Sequence, residues 1–361
     1  MPLPRLDILY VRAESWLSYT LAGSAFTVVL SGCSGTGMSP AASPFAATDS
    51  QAQFAIRSTS TTLTRVPHVS VPDLSAGFAD PDAASKAALI VADSSSNAVY
   101  VYTTTGRLTA TITGFNEPQG LALDASGDLY VTNTNSSDIV VYKDDYKTVK
   151  MTLSDPGEYP AGVSVDLTTG MVGVTNIISS GNGPGSVSFY PPGATKPCKT
   201  LTSATFGKIY DGAFDRAGTF YIDGLGPGGM KTVVGLVKGG CAAKFITKLT
   251  TANTIRFPGD VKVSPSGTIA IDDQAGQAIY SYDVPVNGLL GKPIATTPLT
   301  YTSDPVSFAF TKNGDDVYVS NVALPRSEVQ KYRFPGGIST LETFYTGRVP
   351  VGIAVTPLAS P

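Results

Sequence analysis

Short runs in which apolar and polar residues alternate recur along the chain from residue 118 onward. The clearest run covers Pro118 to Asp124, turns through Gly127, and continues to Asn133 before a further run ends at Tyr142. A period of two is typical of strands with one buried face, and no helical stripe is sustained. The pattern therefore predicts an all-β region of short antiparallel strands.

The same pattern returns at a nearly constant interval. Its anchoring positions are 124, 166, 215, 264, 311 and 356, which lie 42, 49, 49, 47 and 45 residues apart. This period suits a propeller blade of four strands and is too long for leucine-rich or ankyrin repeats. Some copies differ from the rest, since Ile209 replaces the leading proline in the third and Ser264 replaces the anchoring aspartate in the fourth.

The two ends of the repeat region complement each other. Residues 350–356 supply one innermost strand, whereas residues 89–112 supply three strands with no innermost strand before them. A blade shared between these segments closes the ring and removes free sheet edges. With five complete copies, the chain is expected to form a six-bladed β-propeller of four-stranded blades over residues 88–361.

The clearest copy, Pro118–Asn133, follows the consensus Pro-x-Gly-h-x-h-Asp-x-x-Gly-x-h-Tyr-Val-x-Asn, where h is apolar. This consensus resembles the NHL and YVTN-type repeats of six-bladed propellers, and the likeness extends over residues 88–361. The resemblance implies the fold. It implies no single function, because propellers include enzymes, scaffolds and ligand-binding proteins.

The N-terminal residues have the pattern of a targeting segment. Arg5 and Arg12 precede an apolar stretch from Trp16 to Leu30, followed by Leu-Ser-Gly-Cys33. Residues 1–32 are therefore predicted to be a signal peptide. The last four residues resemble a bacterial lipobox, which implies a lipidated Cys33, a membrane anchor and a place in the cell envelope, outside the cytoplasm. A plain secretory signal with an incidental cysteine is the alternative.

Residues 33–87 are rich in Ser, Thr, Ala and Pro and are predicted to form a tether between the anchor and the propeller. His68, the single histidine of the chain, falls in this tether. A catalytic imidazole needs a rigid packed setting, so its position argues against imidazole-based catalysis.

The composition excludes further classes of function. Only 15% of residues are charged, and 25 Lys and Arg face 28 Asp and Glu for a net charge of -3. The chain therefore lacks the basic surface of a nucleic-acid-binding protein. We expect a monomeric, non-catalytic module that binds a protein or a small polar ligand. Cys198 and Cys241 lie in comparable parts of successive repeats, which leaves open a disulfide or two separate buried thiols.

One face of the propeller collects polar side chains. In a four-stranded blade, the loops before the first strand and those joining the second to the third emerge on the same face, near the channel. This placement predicts a ligand-facing channel mouth formed by Glu117, Asn133, Asn176, Asp304 and Asn321. The asparagines have a second interpretation, since an Asx side chain at a strand end can bond its own loop.

An alternative function, a divalent-cation-dependent hydrolase of lactones or esters with an acidic site at the channel mouth, rests on a more distant resemblance. Gly157–Pro160 and Tyr210–Gly212 resemble fragments of the metal-binding motifs of calcium-dependent, gluconolactonase-type propellers. The resemblance implies Ca²⁺ ligands at Glu158 and Asp211, and Asp260 shares the register of Asp211. Such a metal would polarise the carbonyl of a lactone or ester. No Asn-Gly pair follows Pro118 or Pro160, which departs from that family.

Overall fold

A computed structural model describes residues 88–229, 231–300, 302, 304–322, 327–337, 339–345 and 349–356, with the backbone alone over 339–345. The predicted signal peptide, Cys33, the tether and His68 lie outside the described residues. No helix within the described part of the chain is long and apolar enough to cross a membrane.

The described residues form strands joined by short turns, together with three 3-10 helices at Thr134–Ser136, Pro227–Gly229 and Gly240–Ala242. In chain order the strands are Ala88–Asp93 (β1), Ala98–Thr103 (β2), Leu108–Thr113 (β3), Pro118–Leu123 (β4), Leu129–Asn133 (β5), Asp138–Tyr142 (β6), Val149–Ser154 (β7), Glu158–Val165 (β8), Val172–Ser179 (β9), Ser186–Tyr190 (β10), Lys199–Thr202 (β11), Lys208–Phe214 (β12), Phe220–Leu225 (β13), Thr232–Val237 (β14), Thr247–Thr251 (β15), Pro258–Val263 (β16), Ile269–Asp273 (β17), Ala278–Tyr282 (β18), Leu289–Gly291 (β19), Ala295–Pro298 (β20), Pro305–Phe310 (β21), Asp316–Asn321 (β22), Glu328–Arg333 (β23), Ser339–Tyr345 (β24) and Pro350–Thr356 (β25).

These strands form six sheets, which we number as blades along the chain and read outward from the channel. Blade 1 is β25-β1-β2-β3, blade 2 is β4–β7, blade 3 is β8–β11, blade 4 is β12–β15, blade 5 is β16-β17-β18-β20, and blade 6 is β21–β24. The predicted six-bladed propeller is confirmed.

The ring closes through blade 1. Strand β25 pairs antiparallel with β1, with Ile90 opposite Ala354 and Leu89 opposite Val355. The six innermost strands contact one another in the cyclic order β25, β4, β8, β12, β16, β21 and back to β25. The shared blade predicted from the incomplete copies is therefore present.

A separate apolar cluster fills each of the six interfaces between neighbouring blades. The alternating pattern explains this arrangement, because successive residues of a strand face opposite neighbours. Tyrosines at the ends of the third strands pack in these clusters, including the fully buried Tyr190, Tyr282 and Tyr332. The core is thus distributed between the blades.

Two features connect blades beyond this packing. Strand β19, in the segment between β18 and β20 of blade 5, pairs in parallel with β15 and gives blade 4 a fifth strand. A disulfide joins Cys198, before β11 of blade 3, to Cys241, in the 3-10 helix between β14 and β15 of blade 4. Their Cα atoms are 5.5 Å apart, within the range usual for disulfides.

Candidate functional site

Each innermost strand carries a register irregularity shortly after its leading residue, which is the first residue of its repeat: Pro118, Pro160, Ile209, Pro258, Pro305 and Pro350. In blade 4 it lies between Ile209 and Gly212, and in blade 5 between Pro258 and Val261. Such a bulge leaves residues unpaired and redirects their side chains. The residue two positions after the leading residue belongs to a set that we call the upper ring: Gly120, Gly162, Asp211, Asp260, Ser307 and Gly352.

At the glycines of the upper ring, neighbouring innermost strands approach one another closely. A Cβ atom added to Gly120 would collide with the backbone of Ala161 and Gly162 in blade 3. A Cβ on Gly162 would lie 2.6 Å from Oδ1 of Asp211. The small residues of blades 2 and 3 therefore leave room for neighbouring backbone, and Gly162 leaves room for the Asp211 carboxyl.

Asp211 and Asp260 share one ammonium group. Nζ of Lys262 lies 2.6 Å from Oδ1 of Asp260 and 3.1 Å from Oδ2 of Asp211. Asp260 is fully buried, and its Oδ2 accepts hydrogen bonds from the Ser307 hydroxyl at 2.8 Å and the Phe308 N–H at 3.0 Å. Blades 4, 5 and 6 thus meet at one buried ion-pair network.

Two further buried carboxyl groups surround this network. Asp223, near the end of β13, and Asp272, in β17, are both 0% exposed. Burial, followed by the Asp260 charge, raises the pKa of Asp223 to about 8, and burial also raises the pKa of Asp211 and of Asp272 well above the usual range. Burial opposes the charge of Lys262, but Asp211 and Asp260 outweigh it and raise its pKa.

Lys262 also belongs to the wall of a cavity. The residue four positions after each leading residue forms a set that we call the lower ring: Ala122, Ser164, Ala213, Lys262, Ala309 and Ala354. All six line a channel cavity of about 320 Å³ that extends past Val165 and Phe310 to the hairpin residues Asp215 and Arg216. Five small side chains create this space, and the sixth supplies its only charge within the ring.

The anchoring aspartates lie at the hairpins joining first and second strands. Oδ1 of Asp124 accepts the N–H groups of Ser126 and Asp128, and Asp166 and Asp215 accept equivalent bonds. Gly127 adopts a φ of 85°, which strains any residue with a side chain. These residues shape the turns.

The predicted channel-mouth residues bond partners within their own blades. Oδ1 of Asn133 accepts the Asn116 N–H, Oδ1 of Asn321 accepts the Asp304 N–H at 3.0 Å, and Glu117 accepts from Asn135. Nδ2 of Asn176 donates to Asp155 and to Ser186. These contacts join the strand-end asparagines to the loop before the first strand of the same blade, and none of the five residues lines the cavity described above.

Glu158 does not join Asp211 and Asp260. Its Oε2 accepts the Ser186 hydroxyl at 2.8 Å in blade 3, and burial raises its pKa. The other two carboxyls already share the Lys262 ammonium, which stands where a metal ion would have to bind. Among the described residues, no three His, Cys, Asp or Glu side chains are arranged to hold a metal ion. The geometry therefore does not fit a Ca²⁺ centre.

Two signals in the sequence point to the residues that the prediction missed. Counting four residues from each leading residue gives small side chains in five copies and Lys262 in the sixth. Counting eight residues from positions 124, 215 and 264 gives Thr132, Asp223 and Asp272. Asp223 therefore shares the register of Thr132, and Gly224, opposite Ile209, takes the place of Asn133.

Comparison with known proteins supports the fold. The NHL repeat family matches residues 115–142. The structure is similar to Kuenenia stuttgartiensis hydrazine synthase, with 16% identity, a TM-score of 0.53 and coverage of 73% of this chain and 85% of that one. It is also similar to a functionally unknown protein from Desulfotomaculum acetoxidans, with 13% identity, a TM-score of 0.53 and coverage of 76% and 99%. No curated protein sequence matches the chain.

Proposed function

We propose that this six-bladed β-propeller with an NHL repeat is a non-catalytic binding module that takes a small ligand in its channel. The observation that carries the proposal is the cavity of about 320 Å³ bounded by the lower ring. Its size is at the lower end of the range for ligand sites, roughly 300–1,000 Å³. Small side chains around most of the ring leave this volume unfilled.

The walls define the chemistry of the ligand. Leu123, Val165, Phe310 and Val355 are apolar, while Lys262 supplies a polar group in the wall. Asp211 and Asp260 accept two of the three N–H groups of its ammonium, which leaves the third for an acceptor on the ligand. The ligand we propose is a small, mainly apolar molecule with a carbonyl, ether or hydroxyl oxygen.

The test fills the cavity. The full chain is screened by thermal shift against a library of small carbonyl and hydroxyl compounds, and wild type is compared with Ala122→Phe. Ala125→Phe is the control, because Ala125 is exposed on the hairpin. We expect compounds that stabilise wild type and the control to bind Ala122→Phe at least tenfold more weakly. Equal binding by all three proteins would place the ligand elsewhere and overturn the proposal.

We also propose that the propeller works outside the cytoplasm, held to a membrane by lipid on Cys33. The disulfide between Cys198 and Cys241 supports an oxidising compartment. In bacteria expressing the full chain, we expect palmitate labelling and membrane fractionation that Cys33→Ala abolishes. Retained labelling in that variant would show that Cys33 is not the lipidated residue.

A further inference from the structure

Threonine hydroxyls connect neighbouring blades on one side of the ring. Oγ1 of Thr132 accepts the Gly120 N–H of its own blade at 2.7 Å and donates to the Ala161 carbonyl of blade 3 at 2.9 Å. Oγ1 of Thr175 accepts the Gly162 N–H at 3.0 Å and donates to the Tyr210 carbonyl of blade 4 at 2.9 Å. Each hydroxyl uses its proton to join one blade to the next.

Asp223 and Asp272 occupy the same register position in blades 4 and 5. Thr132 directly precedes Asn133, the residue that pairs with Pro118. In the same way, Asp223 precedes Gly224, which pairs with Ile209, and Asp272 precedes Asp273, which pairs with Pro258. Oδ1 of Asp223 accepts the Asp211 N–H at 3.2 Å, as the threonines accept from their own blades. An ionised carboxylate only accepts hydrogen bonds, so it cannot donate to the next blade as the threonine hydroxyls do.

The other carboxyl oxygens of Asp223 and Asp272 receive no hydrogen bonds from the described residues. Oδ2 of Asp223 and both carboxyl oxygens of Asp272 have no hydrogen-bond donor within the described residues, although both side chains are fully buried. An ionised group left in this state would be strongly unfavourable, because burial removes its hydration without replacement. A proton on each carboxyl resolves this problem and supplies the missing donor.

We propose that Asp223 and Asp272 are neutral carboxylic acids in the folded protein, each donating a hydrogen bond to the next blade as Thr132 and Thr175 do. By register, the acceptors are the carbonyls of Gly259 in blade 5 and Val306 in blade 6. The proton is then a structural ligand at the interfaces of blades 4, 5 and 6.

The surrounding charges agree with this assignment. The Asp260 charge disfavours an ionised Asp223 and outweighs the opposing Lys262 charge, while Asp260, Asp273, Asp223 and Asp304 all disfavour an ionised Asp272. If the carboxyls of residues 211, 223, 260 and 272 were all ionised, Lys262 would be the one cation among four buried anions. Protons on Asp223 and Asp272 leave Lys262 between the two carboxyls that it contacts, Asp211 and Asp260.

The sign of the pH dependence follows from the pKa values. Burial raises the pKa of Asp223 to about 8 in the folded protein, whereas an unfolded aspartate has a pKa of about 3.9. Folding therefore takes up a proton between these values. The stability linked to Asp223 is complete below about pH 4 and is lost as the pH rises through about 8.

The test compares the pH dependence of unfolding in variants of the full chain. Urea-unfolding free energies are measured from pH 4 to 9, with EDTA present, for wild type, Asp223→Thr, Asp272→Thr and the double variant. Threonine restores the residue of blades 2 and 3. We expect the wild-type free energy of unfolding to fall more steeply with rising pH than that of the variants, by about one proton for each aspartate replaced. Thr175→Asp is expected to add a pH dependence of the same sign. The same slope in wild type and the double variant would overturn the proposal.

A second readout detects the protons directly. Infrared spectra at pH 7 should contain the carbonyl stretch of protonated carboxyl groups, and the double variant Asp223→Asn/Asp272→Asn should lose intensity while its amides keep donors at both positions. Unchanged intensity contradicts the assignment. Stabilisation of wild type, but not of the threonine double variant, by Ca²⁺ would also contradict it, because a metal ion would then hold the carboxylates together.

Discussion

At the scale of single residues, one lysine determines the character of the channel. Lys262 stands in a ring otherwise made of alanine and serine, and its ammonium lies between Asp211 and Asp260. Only 20% of its side chain is exposed, and none of Asp260 is. Buried ion pairs contribute little over an apolar alternative, but removal of one partner leaves an uncompensated charge. The network therefore makes the stability of blades 4 to 6 depend on a single side chain.

Replacement of Lys262 tests this dependence. We expect Lys262→Met to lower the free energy of unfolding at pH 7 by about 3–5 kcal/mol, since Asp260 loses its counter-ion while buried. Lys150→Met is the control: Lys150 also pairs with an aspartate, Asp128, but its side chain is 43% exposed. A loss within about 1 kcal/mol is expected there. Equal small losses in urea unfolding would show that the buried pair is not important for stability.

At the scale of elements, strands from distant parts of the sequence complete the sheets. Strand β25 supplies the inner strand of blade 1. The N–H of Ala88 in β1 donates to Oγ1 of Thr356 in β25, although the two residues are 268 positions apart in the sequence. Strand β19 extends blade 4 from within the blade 5 segment. Both pairings cover a sheet edge that would otherwise present unpaired backbone groups.

Removal of β25 should therefore open the ring. A chain ending at Val349 is expected to lose the cooperative thermal transition of the full chain, because β1 and the inner faces of β4 and β21 lose their neighbour. Circular dichroism and light scattering would detect the loss of the transition and aggregation through the exposed edge. A chain ending at Thr356, which keeps the whole strand, serves as control. Identical melting of the two chains would show that closure does not depend on β25.

At the scale of the whole molecule, stability is distributed around a circle of similar interfaces. Each has its own apolar cluster, and the interface between blades 3 and 4 adds the Cys198–Cys241 disulfide. That bridge closes a loop with a sequence separation of 43 residues. A cross-link of this kind restricts the unfolded chain and so favours the closed ring.

Loss of the disulfide should weaken the ring without changing its fold. We expect Cys198→Ser/Cys241→Ser to lower the free energy of unfolding by about 2–4 kcal/mol. Urea unfolding of wild type with and without dithiothreitol gives the same comparison in one protein, and the reductant should have no effect on the double variant. A reductant-insensitive wild type would mean that the bridge does not form in solution.

The sequence by itself determined the fold, because the repeats share the same local rules: alternation for strands, a short polar hairpin turn and a nearly constant interval. It also indicated ring closure through complementary partial copies. Only the tertiary structure decided which polar residues meet. Asp211, Asp223, Asp260 and Asp272 come from two blades, and the first strand of each blade has a shift of register near its aspartate. Lys262 rather than a metal ion neutralises the pair because the ring places its ammonium between them.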